Sequence, residues 1–398
     1  MAKNVVFCAD GTWNGPSEPD DDDGSSPATN VFKLFLNLAG LDDPDTLTLA
    51  KEQQRTLRTA DGTVQQVSKY LHGVGDSNNF LVKALGGTLG EGLITRIVRG
   101  YTFISRNYVR GDRIYIIGFS RGAYTARALA GMIAAKGLLD ATKVDLTNKE
   151  TAYRLGAAVW YAYRKVALRS STGWFARLEQ TALDLPAFLS APQRDDLLIA
   201  APIEAVAVWD TVGALGIPAF TLQMQRVDEF QFADLKLSPV VRSGLHAIAV
   251  DEQREDFTPT LWDEDPRITQ TLFPGAHSDV GGGNGTADNE SGLSDWSLRW
   301  MIDRLAPLGV VFAHPLAWVP QPDARGVAHQ PWVDLPWNLR PTGPRHFRAG
   351  LFVGQSLVDR LAAGPVQFAP GLPAAVYAPG NLGGYVLASN LLAGVRVA

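Results

Sequence analysis

A serine stands with a glycine two residues to either side in Gly118-Phe119-Ser120-Arg121-Gly122. Alone the pattern is common; its neighbours give it meaning. Residues 113–117 (RIYII) read as a buried strand, and residues 123–136 read as a helix opening directly after the motif. A strand–turn–helix of this kind strains the serine, and its flanks approach so closely that neither tolerates a Cβ. The turn lifts the hydroxyl above the sheet rim, where the helix N-terminus favours negative charge. Ser120 is the candidate nucleophile.

A neutral serine hydroxyl needs a base. Of six histidines, His314, His329 and His346 lie in an irregular C-terminal stretch, and His72 and His246 border strands. His277 differs: in FPGAHSDVGGG it follows a strand at 271–273 and precedes three glycines. A chain order of nucleophile, acid, base places the base in such a late loop. The acid must end a strand between the two. Asp210, after AVAVW and before a tight Thr-Val-Gly loop, is preferred; Asp251, after LHAIAV, is the alternative. Either would fix the imidazole tautomer and stabilise imidazolium. An oxyanion hole needs two backbone donors. One is assigned to Arg121 N–H, the other to Gly11 or Thr12 after the first strand. Asp10 is expected to brace that first loop, and Asp279 the glycine loop after His277.

The elements that must position these groups alternate along the chain. Strands are predicted at 5–9, 67–71, 113–117, 205–209, 247–250 and 271–273. Helices are predicted at 30–39, with Asn30 as N-cap, and at 93–109, 123–136 and 294–305. This predicts an α/β fold with a mostly parallel central sheet flanked by helices. Residues 1–310 form the catalytic domain, with a helical cap insertion at about 140–200. The cap carries Tyr153, Trp160, Tyr161, Tyr163, Trp174, Phe175 and Phe188. Residues 311–398, rich in Pro, Gly and Trp, are expected as an irregular extension packed on the same domain.

Bulk composition narrows the function classes. With 46% hydrophobic and 19% charged residues, the chain has the material for a sizeable core. A net charge of −5 offers no broad basic field for nucleic acid. The single cysteine, Cys8, sits inside the first apolar run and reads as a core residue. The acidic run Asp20–Asp23 lacks EF-hand spacing and reads as a solvated loop. No metal site and no cofactor are expected: there is no H-E-x-x-H and no paired Cys/His spacing. No run reaches about 18 apolar residues, and the N-terminal run is too short for a signal-peptide core. Synthesis in the cytoplasm is expected, with any export proceeding without a cleaved leader.

Four ordered motifs, VVFCADGTWN, GFSRGAYTARALAGMI, VWDTVG and FPGAHSDVGGG, together resemble the DUF2235 domain. This is the catalytic domain of Tle1-like type VI secretion phospholipase effectors. The resemblance spans residues 3–305, with a looser echo in 355–382. It implies an α/β-hydrolase fold and a Ser-Asp-His triad falling on Ser120, Asp210 and His277, used on glycerophospholipid acyl esters. The expected function is hydrolysis of lipid or phospholipid acyl esters through an acyl-enzyme. A soluble esterase for small or polymeric esters is the alternative, and a non-catalytic binding module the second. Implied partners are the ester substrate, a membrane surface met peripherally through the cap, and an immunity or secretion partner.

Overall fold

The computed structural model describes residues 2–11, 28–46, 52–72, 89–169, 194–212, 235–335, 337–382, 386–387 and 390–391. Among these, nine strands form one sheet: β1 (Asn4–Ala9), β2 (Leu41–Asp42), β3 (Glu52–Arg58), β4 (Val64–Leu71), β5 (Arg113–Phe119), β6 (Ile203–Trp209), β7 (Val241–Ala249), β8 (Ile268–Phe273) and β9 (Phe352–Val353). Their spatial order is β9-β8-β7-β6-β5-β1-β4-β3-β2. Every pair from β9 to β4 is parallel; β3 and β2 close one edge antiparallel.

The central strands are apolar on both sides because helices cover both faces. Along β1, Val5 and Phe7 join a cluster with helices α2 (Leu89–Asn107), α3 (Arg121–Lys136) and α4 (Lys149–Arg169). Val6 and Cys8 point the other way, into a cluster with α1 (Asn30–Asn37) and α6 (Gly292–Leu305). The two-residue alternation of strand side chains sorts them. Cys8 is fully buried, and burial together with nearby Asp10 pushes its thiol up.

This arrangement sets a topological switch in the sheet. The next described helix after β1, α1, lies on one face of the sheet, whereas β5 leads into α3 on the other. The carboxyl ends of β1 and β5, side by side, therefore form a topological switch point, where open α/β sheets bind ligands. Asp10 and Gly11 follow β1, and Ser120 follows β5.

Several local expectations need correction. Thr29, not Asn30, caps α1: its hydroxyl accepts from Phe32 N–H at 3.2 Å. Asn30 is buried, and its amide donates to the Val280 and Ser294 carbonyls at 2.9 and 2.8 Å. The polar strand β3 (EQQRTLR) was not expected, because it has no apolar alternation. Pairing with β4 makes it a strand, through a turn closed by Thr59 N–H to Thr63 O at 2.9 Å.

Residues 311–382 are also less irregular than expected. They add β9 to the sheet edge, a helix α7 (Gln355–Ala362), and a third apolar cluster around Leu351, Leu357 and Tyr377. In the cap stretch, α4 packs on α2 and α3. Its Trp160 is buried, and Tyr153, Tyr161 and Tyr163 lie against the same core. Trp174, Phe175, Phe188 and the Asp20–Asp23 run lie outside the described residues. No helix among the described residues is long and apolar enough to cross a membrane.

Candidate active site

Ser120 sits between β5 and α3 with φ 56° and ψ −124°, the left-handed, strained turn foreseen from the motif. The reason is spatial. A Cβ on Gly118 would stand 2.3 Å from Gly122 O, and one on Gly122 would stand 2.1 Å from Ala9 O. Only glycine at both positions lets α3 start hard against β1 and β5. The turn is anchored by Ser120 N–H to Trp209 O at 3.1 Å. The Ser120 side is nearly closed to solvent, at 7% exposure.

A second strained residue stands at the end of the adjacent strand. Asp210 has φ 35°, its N–H bonds Ala247 O at 2.7 Å, and its Oδ1 accepts from Ala249 N–H at 3.0 Å. Such conformations cost on the order of 1–3 kcal/mol each and persist where surrounding bonds over-determine them. Ser120 and Asp210 are two of four positive-φ non-glycine residues among those described. That concentrates the strain at neighbouring strand ends.

The His277 ring meets Asp210. His277 opens the short helix α5 (His277–Gly281), and its Nδ1 lies 2.5 Å from Asp210 Oδ2. Because an ionised carboxylate only accepts, Nδ1 carries the proton and Nε2 has the lone pair. Nε2 is buried and has no protein partner among the described residues. Phe119 lies 4.6 Å from the ring between centroids, and Phe257 meets it edge-on at 4.9 Å. The His277 N–H is held by Glu252 Oε2 at 3.2 Å, and Glu252 is in turn paired with Arg254 at 2.7 Å. Arg254 stacks 3.6 Å over Phe257 and 5.0 Å from Trp337.

Electrostatics separate the roles of these groups. Burial would push the Asp210 carboxyl up. The charge and hydrogen bonds of Arg345, with His277, override it and hold Asp210 well below the usual carboxylate range. Burial lowers His277; Asp210 pulls the other way without reversing the shift, so the ring is neutral at neutral pH. His246, also buried, is pushed down to about 3 by burial and Arg127. It accepts from Thr211 N–H at 3.1 Å and so supports the loop that carries Asp210.

Other expected residues fall as follows. Asp251 does not reach His277; it accepts from Gly275 N–H at 2.6 Å and from Tyr377 Oη at 2.8 Å. Burial pushes its carboxyl up to about 6. Asp10 is fully buried at the end of β1. It accepts from Tyr70 Oη and Thr29 Oγ1 at 2.7 Å each, and from Gly11 N–H at 2.6 Å. Burial raises it to about 6 against those bonds. Gly11, read as an oxyanion donor, thus has its N–H turned onto Asp10, because a buried carboxylate claims the nearest donor. Thr12 lies outside the described residues. Arg121 is the first residue of α3, directly after Ser120; burial and the charge of Arg96 lower its guanidinium. Asp279 accepts from Ala276 N–H at 2.8 Å, from His329 N–H at 2.9 Å and from Asn284 at 2.8 Å.

Arg345 was not singled out from the sequence. Its Nη1 and Nη2 donate to Asp210 Oδ1 and Oδ2 at 2.7 and 2.8 Å, and it is 6% exposed. It lies 135 residues from Asp210 in the chain, in a Pro- and Gly-rich stretch with no periodic signal. Among the described residues, no cluster of three or more His, Cys, Asp or Glu side chains could hold a metal ion.

Fold and site together define a doubly wound α/β protein in which Ser120 and Asp210 end neighbouring strands and the His277 ring bonds Asp210. Residues 3–304 match the model of the type VI secretion phospholipase effector Tle1-like catalytic domain, and the chain belongs to that family. An uncharacterized Saccharomyces cerevisiae protein, YEL023C, is 26% identical over 266 residues, which is 67% of this chain and 33% of that protein. The chain thus spans about a third of the length of that curated relative. Two solved structures are also similar. An uncharacterized Pseudomonas aeruginosa protein is 16% identical with a TM-score of 0.38, covering 78% of this chain and 46% of its own. A Tle1 effector solved bound to the VgrG spike is 17% identical with a TM-score of 0.37, covering 71% of this chain and 52% of its own.

Proposed function

We propose that this protein is an α/β-hydrolase that cleaves lipid acyl esters, most readily those of phospholipids, through a Ser120–His277–Asp210 triad. The observation that carries it is the His277 ring: Nδ1 bonded to Asp210, and Nε2 buried and without a protein partner among the described residues. Ser120 Oγ attacks the ester carbonyl, and its proton passes to His277 Nε2. Asp210 steadies the imidazolium. Arg121 N–H at the start of α3 holds the oxyanion. The imidazolium returns its proton to the leaving alcohol, and an acyl-enzyme on Ser120 remains. Water, deprotonated by His277, then releases the fatty acid.

Family membership supports lipid over small soluble esters, and one surface feature agrees with it. Val333, Leu335 and Leu339 are 55%, 72% and 77% exposed, on either side of Trp337. Trp337 packs edge-on against Phe257, the ring that touches His277. This apolar rim beside the base suits entry of an acyl chain. Family membership also supports delivery of the protein by a type VI secretion machine.

A fluorophosphonate probe should label Ser120 in wild type and leave Ser120→Ala unlabelled. Phospholipid vesicles should release fatty acid with wild type only. Turnover confined to short soluble esters would favour the esterase, and full turnover by Ser120→Ala would refute the mechanism. Absence of both labelling and turnover in folded protein would favour a binding module.

A further inference from the structure

The carboxylate facing His277 is saturated. Asp210 Oδ1 accepts from Ala249 N–H at 3.0 Å and Arg345 Nη1 at 2.7 Å, and Oδ2 accepts from Arg345 Nη2 at 2.8 Å and His277 Nδ1 at 2.5 Å. A carboxylate has about four lone-pair positions, so none is left over. Arg345 is pinned in turn, donating to Ala249 O at 2.6 Å and Phe257 O at 2.5 Å. Its own segment is docked on the loop that follows β7. Gly343 N–H bonds Gln253 O at 2.8 Å, and Arg340 pairs with Asp256 at 2.6 Å. That loop carries both Glu252, which holds the His277 backbone, and Phe257, which packs on its ring.

We propose that Arg345, from beyond the family-matched region, is a positioning residue for the hydrolytic triad: its planar fork sets the Asp210 carboxylate against His277 Nδ1, and its charge cancels that of Asp210. This rests on the serine-hydrolase reading above. The bidentate geometry matters because guanidinium and carboxylate match plane to plane, which fixes the acid's rotation as a lone ammonium does not. The charge matters because the two carboxylates that touch His277 each carry an arginine. Asp210 has Arg345, and Glu252 has Arg254. Arg127, His246 and the Arg340–Asp256 pair also lie about this cluster, His246 being neutral. His277 therefore sits among cancelled charges, and the imidazolium gains less from Asp210 than it would from a bare carboxylate. The base stays neutral, and the enzyme active, to lower pH.

The test is the pH dependence of kcat and kcat/KM on a fluorogenic acyl ester for wild type, Arg345→Lys, Arg345→Gln and Arg345→Ala, with folding checked by circular dichroism. For Arg345→Ala, kcat should fall on the order of 100-fold through misplacement of the base, with KM little changed. Its acid limb should rise by about one pH unit, because Asp210 then acts on His277 uncompensated. Arg345→Lys should keep the acid limb near the wild-type position and recover only part of kcat, separating charge from fork geometry. Added guanidinium should raise the activity of Arg345→Ala and leave wild type unchanged. A folded Arg345→Ala or Arg345→Gln with wild-type kcat and acid limb would overturn the proposal, even if its melting temperature drops. If Arg345→Ala does not fold, Arg345→Gln and Arg345→Lys give the same reading. Fluorophosphonate labelling of wild-type Ser120 keeps the two ideas apart. No labelling sinks the hydrolase reading, whereas labelling of Arg345→Ala or Arg345→Gln at the wild-type rate sinks only this one.

Discussion

Two histidine–carboxylate pairs each take one member from the short helix α5, and they behave oppositely. His277 Nδ1 meets Asp210 at 2.5 Å; His329 Nδ1 meets Asp279 at 2.6 Å. Burial lowers the first and leaves it neutral. Burial also acts to lower the second, but Asp279 and then Glu290 raise it above the ordinary imidazole value. The difference lies in burial and neighbouring charge: burial outweighs Asp210 at His277, where Arg254 also lowers the ring, whereas Glu290 adds to Asp279 at His329. Asp210 carries Arg345, whereas among the described residues no arginine lies within ion-pair distance of Asp279 or Glu290. The far nitrogen differs as well. His277 Nε2 has no protein partner among the described residues, while His329 Nε2 faces Glu290 at 3.6 Å. Contact with an aspartate therefore does not make a histidine a base. On the proposed function, it is the uncommitted far nitrogen of His277 that sets the base apart.

Exchanging roles is the sharpest way to break this comparison. His277→Ala should lower kcat by about 10⁴-fold or more. His329→Ala should leave kcat near wild type, and a comparable loss in both variants would erase the distinction. Asp210→Asn, which presents the wrong partner to Nδ1, should cost about 10⁴-fold in kcat. Asp279→Asn should act on stability instead, by about 1–3 kcal/mol in urea unfolding, because it weakens buried bonds to Ala276, His329 and Asn284.

The smaller effects are in pH. A lowered His277 stays unprotonated below the ordinary value of 6.5, so the acid limb of kcat/KM should fall below that pH. An acid limb above pH 7 would contradict the assignment. The stability signs are opposed. For His329 the folded pKa is raised, so its contribution is complete below 6.5 and is lost as pH rises through the folded value. For His277 the folded pKa is lowered, so the unfolded chain binds the proton more readily and stability falls as pH drops below 6.5. Melting temperatures of His329→Gln and wild type should therefore converge at alkaline pH and diverge in acid, with wild type the more stable. Parallel curves would show that His329 does not titrate as described.

Much of the site was legible because its constraints are local. Gly118, Ser120 and Gly122 form a turn whose steric demands act over five residues, so the motif and its flanking apolar strand were enough to place it. The glycine-rich stretch after His277 likewise marked a loop. The sequence favoured Asp210 for its tight Thr-Val-Gly loop but left Asp251 as an alternative, since both end parallel strands and both precede a loop. Their separation is a matter of which strand lies beside β5. β6 does, and β7 is one strand further out. Gly11 failed as a donor for the same kind of reason: the rotamer of Asp10 that claims its N–H is set by Tyr70 and Thr29, which arrive from β4 and the start of α1.

What the chain determined on its own is periodicity and short-range sterics: alternating apolar strands buried on both faces, helices between them, and a serine that only a strained turn can present. Tertiary structure decided which distant charges share one low-dielectric spot. Arg345 reaches Asp210 across 135 residues, from a stretch whose composition predicted only irregular chain. Ion pairing of that kind depends on position in space and on burial, and neither leaves a periodic trace in sequence.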